Sequence, residues 1–202
     1  GIMSDARLVV DNVIAARRYG ALCLNYCEVT SMKRDDSGIS QVTARDTKTG
    51  KDISLKARLV VNCPGPWAST LAQTLGAEPR PLKFSRGSHI IFNKPWNGPS
   101  LFLPMPGKAR YYFVWPHAAG TMVGTTEREV SSVELDPLPS KDEIDEIFGR
   151  LEKDIPDAGL NRASACYAFA GIRTLPIRGK NANSTVLSRK HIWTHLNGVL
   201  TL

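Results

Sequence analysis

Arg58-Leu59-Val60-Val61-Asn62-Cys63-Pro64-Gly65-Pro66-Trp67 carries the reading of the fold. Its first half is an apolar run centred on Leu59, Val60 and Val61 without alternation, the pattern of a parallel strand buried on both faces. Pro64-Gly65 then turns the chain, and Pro66 suits a first helical position, where its missing N–H has no partner to lose. A strand, a tight turn and a helix over 66–75 are therefore expected, with Gly76 as the stop. Ligands commonly sit at the carboxyl ends of such strands, beside the following helix.

Upstream, Ser4 or Asp5 caps a helix whose apolar face would use Leu8, Val9, Val13 and Ala16, and Gly20 ends it. Residues 21–25 read as a short buried strand. A meander follows: a strand from 28 to 33, a turn at Asp35-Asp36-Ser37-Gly38, a strand from 39 to 46 with Val42 and Ala44 inside, and a turn at Thr47-Lys48-Thr49-Gly50. Ile53 and Leu55 continue it.

After Pro79 and Pro81 the texture changes. Strand-like stretches at 86–92, 100–103, 110–116 and 121–125 come at short spacing, as in an antiparallel sheet. Tyr111, Phe113 and Trp115 alternate with Tyr112 and Val114, an aromatic strand more in keeping with a core than with a ligand platform. Ser140 and Glu143 form a capping-box pattern for a helix reaching about Asp154, with Ile144, Ile147, Phe148 and Leu151 as its apolar stripe. Further strands are expected at 167–170, 184–188 and 191–196. The map has two pieces: 1–80 joined by 191–202, and 81–190. The class is α+β / α/β.

Composition narrows the function. The chain has 202 residues, 42% hydrophobic and 22% charged, an ordinary globular balance. The net charge of +7 favours anionic partners, yet it is scattered and shows no basic block interleaved with aromatics, so nucleic-acid binding is not expected. No apolar run reaches the roughly 18 residues of a membrane helix. Cys23, Cys27, Cys63 and Cys166 lack metal or disulfide spacing. Cys23 and Cys63, in apolar runs, read as buried free thiols of a reducing cytoplasm. No metal site is expected. The opening at Gly1 rather than methionine suggests a piece of a longer chain.

The chemistry gathers at Ser85-Arg86-Gly87-Ser88-His89-Ile90-Ile91, which places an imidazole at a strand entrance. Arg173, in Gly171-Ile172-Arg173-Thr174-Leu175-Pro176, and Arg189, in Ser188-Arg189, stand beside turn-forming residues. Arginine's planar fork suits a phosphate. Histidine, whose free imidazole titrates near pH ~6.5, suits uptake of a hydroxyl proton or orientation of the hydroxyl. One pocket for a small phosphorylated alcohol would use all three. There is no Gly-x-Gly-x-x-Gly, Gly-x-Ser-x-Gly or Walker pattern.

Six segments together carry a resemblance. They are Asp5-Ala6-Arg7-Leu8-Val9, Val61-Asn62-Cys63-Pro64-Gly65-Pro66-Trp67, Gly87-Ser88-His89-Ile90, Gly124-Thr125-Thr126-Glu127, Gly171-Ile172-Arg173 and Ser188-Arg189. In that order and spacing the chain resembles the middle of FAD-dependent, quinone-linked glycerol-3-phosphate dehydrogenases, without their N-terminal glycine-rich fingerprint. The resemblance implies a remnant of a Rossmann-like FAD-binding domain over 1–80 and a mixed, mostly antiparallel substrate-capping domain over 81–190. It implies Gly65, Pro66 and Trp67 against the flavin, His89 and Arg173 as catalytic residues, and Arg173, Arg189 and His89 as substrate-binding residues. The reaction implied is oxidation of sn-glycerol 3-phosphate to dihydroxyacetone phosphate, with hydride passing to FAD and electrons to quinone. The place is the cytoplasm or the inner face of the membrane as a peripheral protein, and a homodimer is compatible with it. An amine or amino-acid oxidase of the same architecture is the alternative, and a non-catalytic binding domain lacking the cofactor half is another. The family's Gly-Gly-Lys-Leu-Thr-Thr segment reads Asn197-Gly198-Val199-Leu200-Thr201-Leu202 here, with Val199 at the lysine position. The 202 residues alone are accordingly expected to bind FAD weakly or not at all and to be inactive.

Overall fold

In a computed structural model of the chain, residues 4–74, 82–105, 110–177 and 192–202 are described. They fall into two compact units, one of Gly1–Pro64, Thr70–Glu78 and His191–Leu202, the other of Gly65–Ser69 and Pro79–Lys190.

In the first unit, helix α1 (Asp5–Arg18) starts at Ser4, whose hydroxyl accepts from the Arg7 N–H. Asp5 in its first turn and Arg17 and Arg18 in its last complement the helix dipole. Strands β1 (Cys27–Arg34), β2 (Ser40–Asp46) and β3 (Asp52–Ala57) form an antiparallel meander in that order. As the alternation predicts, Val42 and Ala44 are buried on β2, with Ser40 beside them. The turns fall where Asp35 and Asp46 accept backbone N–H groups two to four residues on.

Two expectations fail here. Residues 21–25 form no strand and are exposed, because no described strand lies beside them to take up their backbone groups. Strand β4 (Val60–Asn62) does pair in parallel, with β12 (Val199–Thr201), which β11 (Thr194–Leu196) flanks on its other side. It is covered on one side only: Asn62 is buried whereas Leu59 and Val61 are more than half exposed. For the same reasons Cys23 and Cys63 are exposed thiols rather than buried ones.

The second unit opens with a 3-10 turn, Gly65–Trp67, that leads into helix α2 (Ala68–Thr74), whose residues from Thr70 on belong to the first. Its body is a six-stranded antiparallel sheet. Strands β5 (Leu82–Phe92), β6 (Leu101–Met105), β7 (Arg110–His117), β8 (Gly120–Gly124) and β10 (Ala165–Pro176) run in the order β10-β5-β8-β7-β6. Strand β9 (Arg128–Val130) pairs with the first half of β5, and β8 with its second half. Helix α3 (Lys141–Asp154) begins at the expected capping box of Ser140 and Glu143. It packs Ile147 and Leu151 onto Ile90, Phe92, Val114 and Val123. At about 25 cal/mol per Å² of apolar surface, these side chains dominate the unit's stabilisation.

Strict alternation then sorts β7. Tyr112 and Val114 face α3 and are buried, while Tyr111 and Phe113 lie on the opposite, open face. The aromatic positions expected in a core thus line a surface, where Phe102 stacks on Tyr111 and meets Phe113 at a tilt.

Candidate active site

The open face of this sheet holds the residues singled out for chemistry. His89 lies well inside β5, not at a strand entrance, opposite Phe169 on β10 and Gly124 on β8. Residues opposite one another across a ladder share a face, so the imidazole stands between those two neighbours. Its ring stacks on Phe169, centroids 5.1 Å apart and planes within 10°, and meets Trp115 edge-on at 5.9 Å. It reaches over β8 because residue 124 has no side chain: a Cβ there would stand 2.7 Å from His89 Cγ.

Two residues earlier on the same face is Gly87, paired with Gly171. A Cβ at position 87 would overlap the Thr125 hydroxyl and stand 3.0 Å from Arg173 Nη2. The guanidinium of Arg173 and the hydroxyl of Thr125 therefore converge over Gly87, roughly 7 Å along the strand from the His89 position. A Cβ at Gly171 would meet nothing within 4 Å, so the floor beside the cation is open. The turn Gly65–Trp67 runs close to β10, the strand that carries Arg173. Gly65 has φ 58, an αL conformation favouring glycine, and space around it. Arg189, the other predicted arginine, lies outside the described residues, as do His191 and the strand expected at 184–188.

Beneath this face a polar network fixes the backbone. The chain leaves β8 after Gly124 and joins β9 at Arg128, so β5 has no ladder neighbour on that side at Gly87 and Ser88. Thr126 fills the gap: its hydroxyl accepts from the Ser88 N–H at 2.9 Å and donates to Glu143 Oε1 at 2.8 Å. The other carboxylate oxygen accepts from the Ser140 N–H and hydroxyl at 3.0 Å each and meets Arg86 at 2.8 Å. Glu143 is fully buried. Burial alone would push its carboxyl up, but the hydrogen bonds from Ser140 and Thr126 outweigh it and hold the pKa below the ordinary value. Beside the network, Glu127 pairs with Arg110 at 3.1 Å.

Sequence reasoning picked out His89 and Arg173, and the fold sets them on one face. It did not pick out Gly87, Gly124, Phe169 or Trp115 as parts of the site. A period-two reading of β5 held the clue, since Gly87 and His89 must share a face. No group of three or more His, Cys, Asp or Glu residues that could hold a metal occurs among the described residues. No described helix is long and apolar enough to cross a membrane.

An imidazole and a guanidinium thus lie over one glycine-floored face, in the unit that also holds the Gly-Pro-Trp turn. The profile of the FAD dependent oxidoreductase (DAO) family matches residues 1–198, and the chain belongs to that family. Among curated relatives, D-erythritol 1-phosphate dehydrogenase of Brucella abortus is 29% identical over 194 residues, 95% of this chain and 38% of its own length. The mitochondrial glycerol-3-phosphate dehydrogenase of Rattus norvegicus is 29% identical over 202 residues, 95% of this chain and 28% of its own length. The FAD-complexed glycerol-3-phosphate dehydrogenase of Bacillus halodurans shares the fold with a TM-score of 0.80 at 23% identity, over 98% of this chain and 38% of that one. The chain thus spans 28% to 38% of the length of these relatives, and it shares its mixed, mostly antiparallel architecture with the Bacillus halodurans structure.

Proposed function

We propose that this chain supplies the substrate face of an FAD-dependent dehydrogenase acting on a small phosphorylated polyol, sn-glycerol 3-phosphate being the leading candidate. The observation that carries the reading is the convergence of Arg173 and Thr125 over Gly87, on the face and within one strand repeat of His89. Arg173 would bind the phosphate through its planar fork, with Arg189 as the second arginine of the reading. His89, held by Phe169 and Trp115, would accept or orient the proton of the secondary hydroxyl while the carbinol carbon gives up a hydride. Loss of that proton and hydride turns the alcohol into the ketone, dihydroxyacetone phosphate. FAD, when bound, supplies the two-electron acceptor for the hydride. Gly65, Pro66 and Trp67 would lie against it, the bare Gly65 leaving room for a planar ring system. Quinone as the final acceptor, a peripheral place on the membrane and a homodimer belong to the same reading.

The test is flavin reduction, in the FAD-loaded form of the whole protein that carries these 202 residues, by glycerol 3-phosphate, D-erythritol 1-phosphate, unphosphorylated glycerol and a secondary amino acid. Reduction by the phosphorylated polyols is expected. Arg173→Ala should raise KM for them by roughly ten- to a hundredfold, the loss of a charge-assisted hydrogen bond. Reduction by the amino acid alone would instead support an amine or amino-acid oxidase, since a guanidinium grips a carboxylate equally well.

A further inference from the structure

We propose that Glu143 and Thr126 form a positioning relay for the site, an inference that rests on the reading of His89 and Arg173 given above. Glu143 lies on α3, which packs against the opposite face of the sheet. It touches the point where β5 lacks a ladder neighbour. There the Ser88 N–H has a side-chain hydroxyl as acceptor, that of Thr126. A hydroxyl has one proton and can point it two ways. An ionised carboxylate only accepts, so Glu143 draws the Thr126 proton to itself and turns the hydroxyl's lone pairs to Ser88. The Ser88 N–H can only donate, so the ionised carboxylate of Glu143 sets the direction of the remaining bond and leaves the hydroxyl's lone pairs for Ser88. Ser140 and Arg86 occupy the carboxylate's other oxygen and, with Thr126, sustain its charge in a fully buried place.

The consequence reaches the open face through the two residues next to the site, Ser88 and Thr125. Ser88 separates Gly87 from His89, and Thr126 follows Thr125, so this hydroxyl, together with the Thr126 N–H that donates to the Ser88 carbonyl at 3.3 Å, pins the two backbones whose other sides carry the site. Thr126 and Glu143 are positioning residues, acting through Ser88 and Thr125 on the imidazole and the cation.

Thr126→Val removes the hydroxyl at nearly constant volume, and Thr126→Ser restores it. Ile147→Val, in the core under the same helix, is the control for general loosening. The His89 ring resonances of the unliganded protein and KM for glycerol 3-phosphate are the readouts. In Thr126→Val the ring resonances should move and KM should rise about 3- to 10-fold, the worth of one lost hydrogen bond. Thr126→Ser should return both toward wild type, and Ile147→Val should lower Tm while moving neither. Glu143→Gln, which keeps an acceptor but not the charge, should fall between. Ring resonances and KM that respond no more in Thr126→Val than in Ile147→Val overturn the relay. If Arg173→Ala leaves KM unchanged, the substrate reading fails instead, and the ring resonances still decide the relay.

Discussion

Helices α1 and α3 are each 14 residues long and each begins at a serine cap, yet α1 buries no side chain whereas α3 buries Glu143, Ile147 and Leu151. Helix α1 is set by its ends: Ser4 and Asp5 at one, Arg17 and Arg18 at the other, with an Arg7–Asp11 pair between. Its apolar side chains Leu8, Val9, Val10 and Val13 remain at least two-fifths exposed. Helix α3 has comparable local signals and in addition closes the core of the six-stranded sheet. The same local code therefore specifies a helix in both units, but only in the second does the helix hold other elements in place.

The sharpest way to break that contrast is Leu151→Ala. Removal of this buried side chain should cost about 2–5 kcal/mol, read as a lower denaturation midpoint. Acid should come next. Glu143 titrates lower in the folded chain than when unfolded. Its contribution is thus fully present above the unfolded value of about 4.3 and is lost as pH falls through the lower folded value. Wild-type Tm should drop more steeply below about pH 4 than that of Glu143→Gln, and equal slopes would show the carboxylate to be unimportant there. Ser140→Ala should cost about 1 kcal/mol through the lost cap. Smallest of all, Val9→Ala on α1 should change stability by no more than about 0.5 kcal/mol; a loss as large as that of Leu151→Ala would mean α1 is packed after all.

The sequence announced α3 through Ser140-x-x-Glu143 and placed its stripe correctly, because a capping box and a 3.6-residue period are local properties. It also showed Glu143 as a cap and nothing more. The second role depends on Thr126, 17 residues away, and on a gap in the pairing of β5 that only register reveals. Aromatic alternation in β7 was legible, but not which set faces α3, since both sets are apolar enough for a core. The apolar residues at 21–25 read as a strand, yet a strand exists only through its neighbours. His89 and Arg173 were visible as residue types suited to the chemistry. Gly87 and Gly124, which let those side chains lie over the sheet, were visible only as members of the segments that carry the resemblance.

The pairing of β10 with β5 has a consequence for how the chain acquires its structure. This ladder joins Leu82 to Pro176 and Phe92 to Ala165, so it cannot zip up from a neighbouring hairpin. The hairpins β6–β7 and β7–β8 can form early, from contacts close in sequence. Closure of the long ladder comes late, at a large loop-entropy cost, and until then β5 keeps a bare hydrogen-bonding edge. Slow refolding and self-association during that interval are the behaviour such a topology imposes, and cooler, dilute refolding should raise the yield.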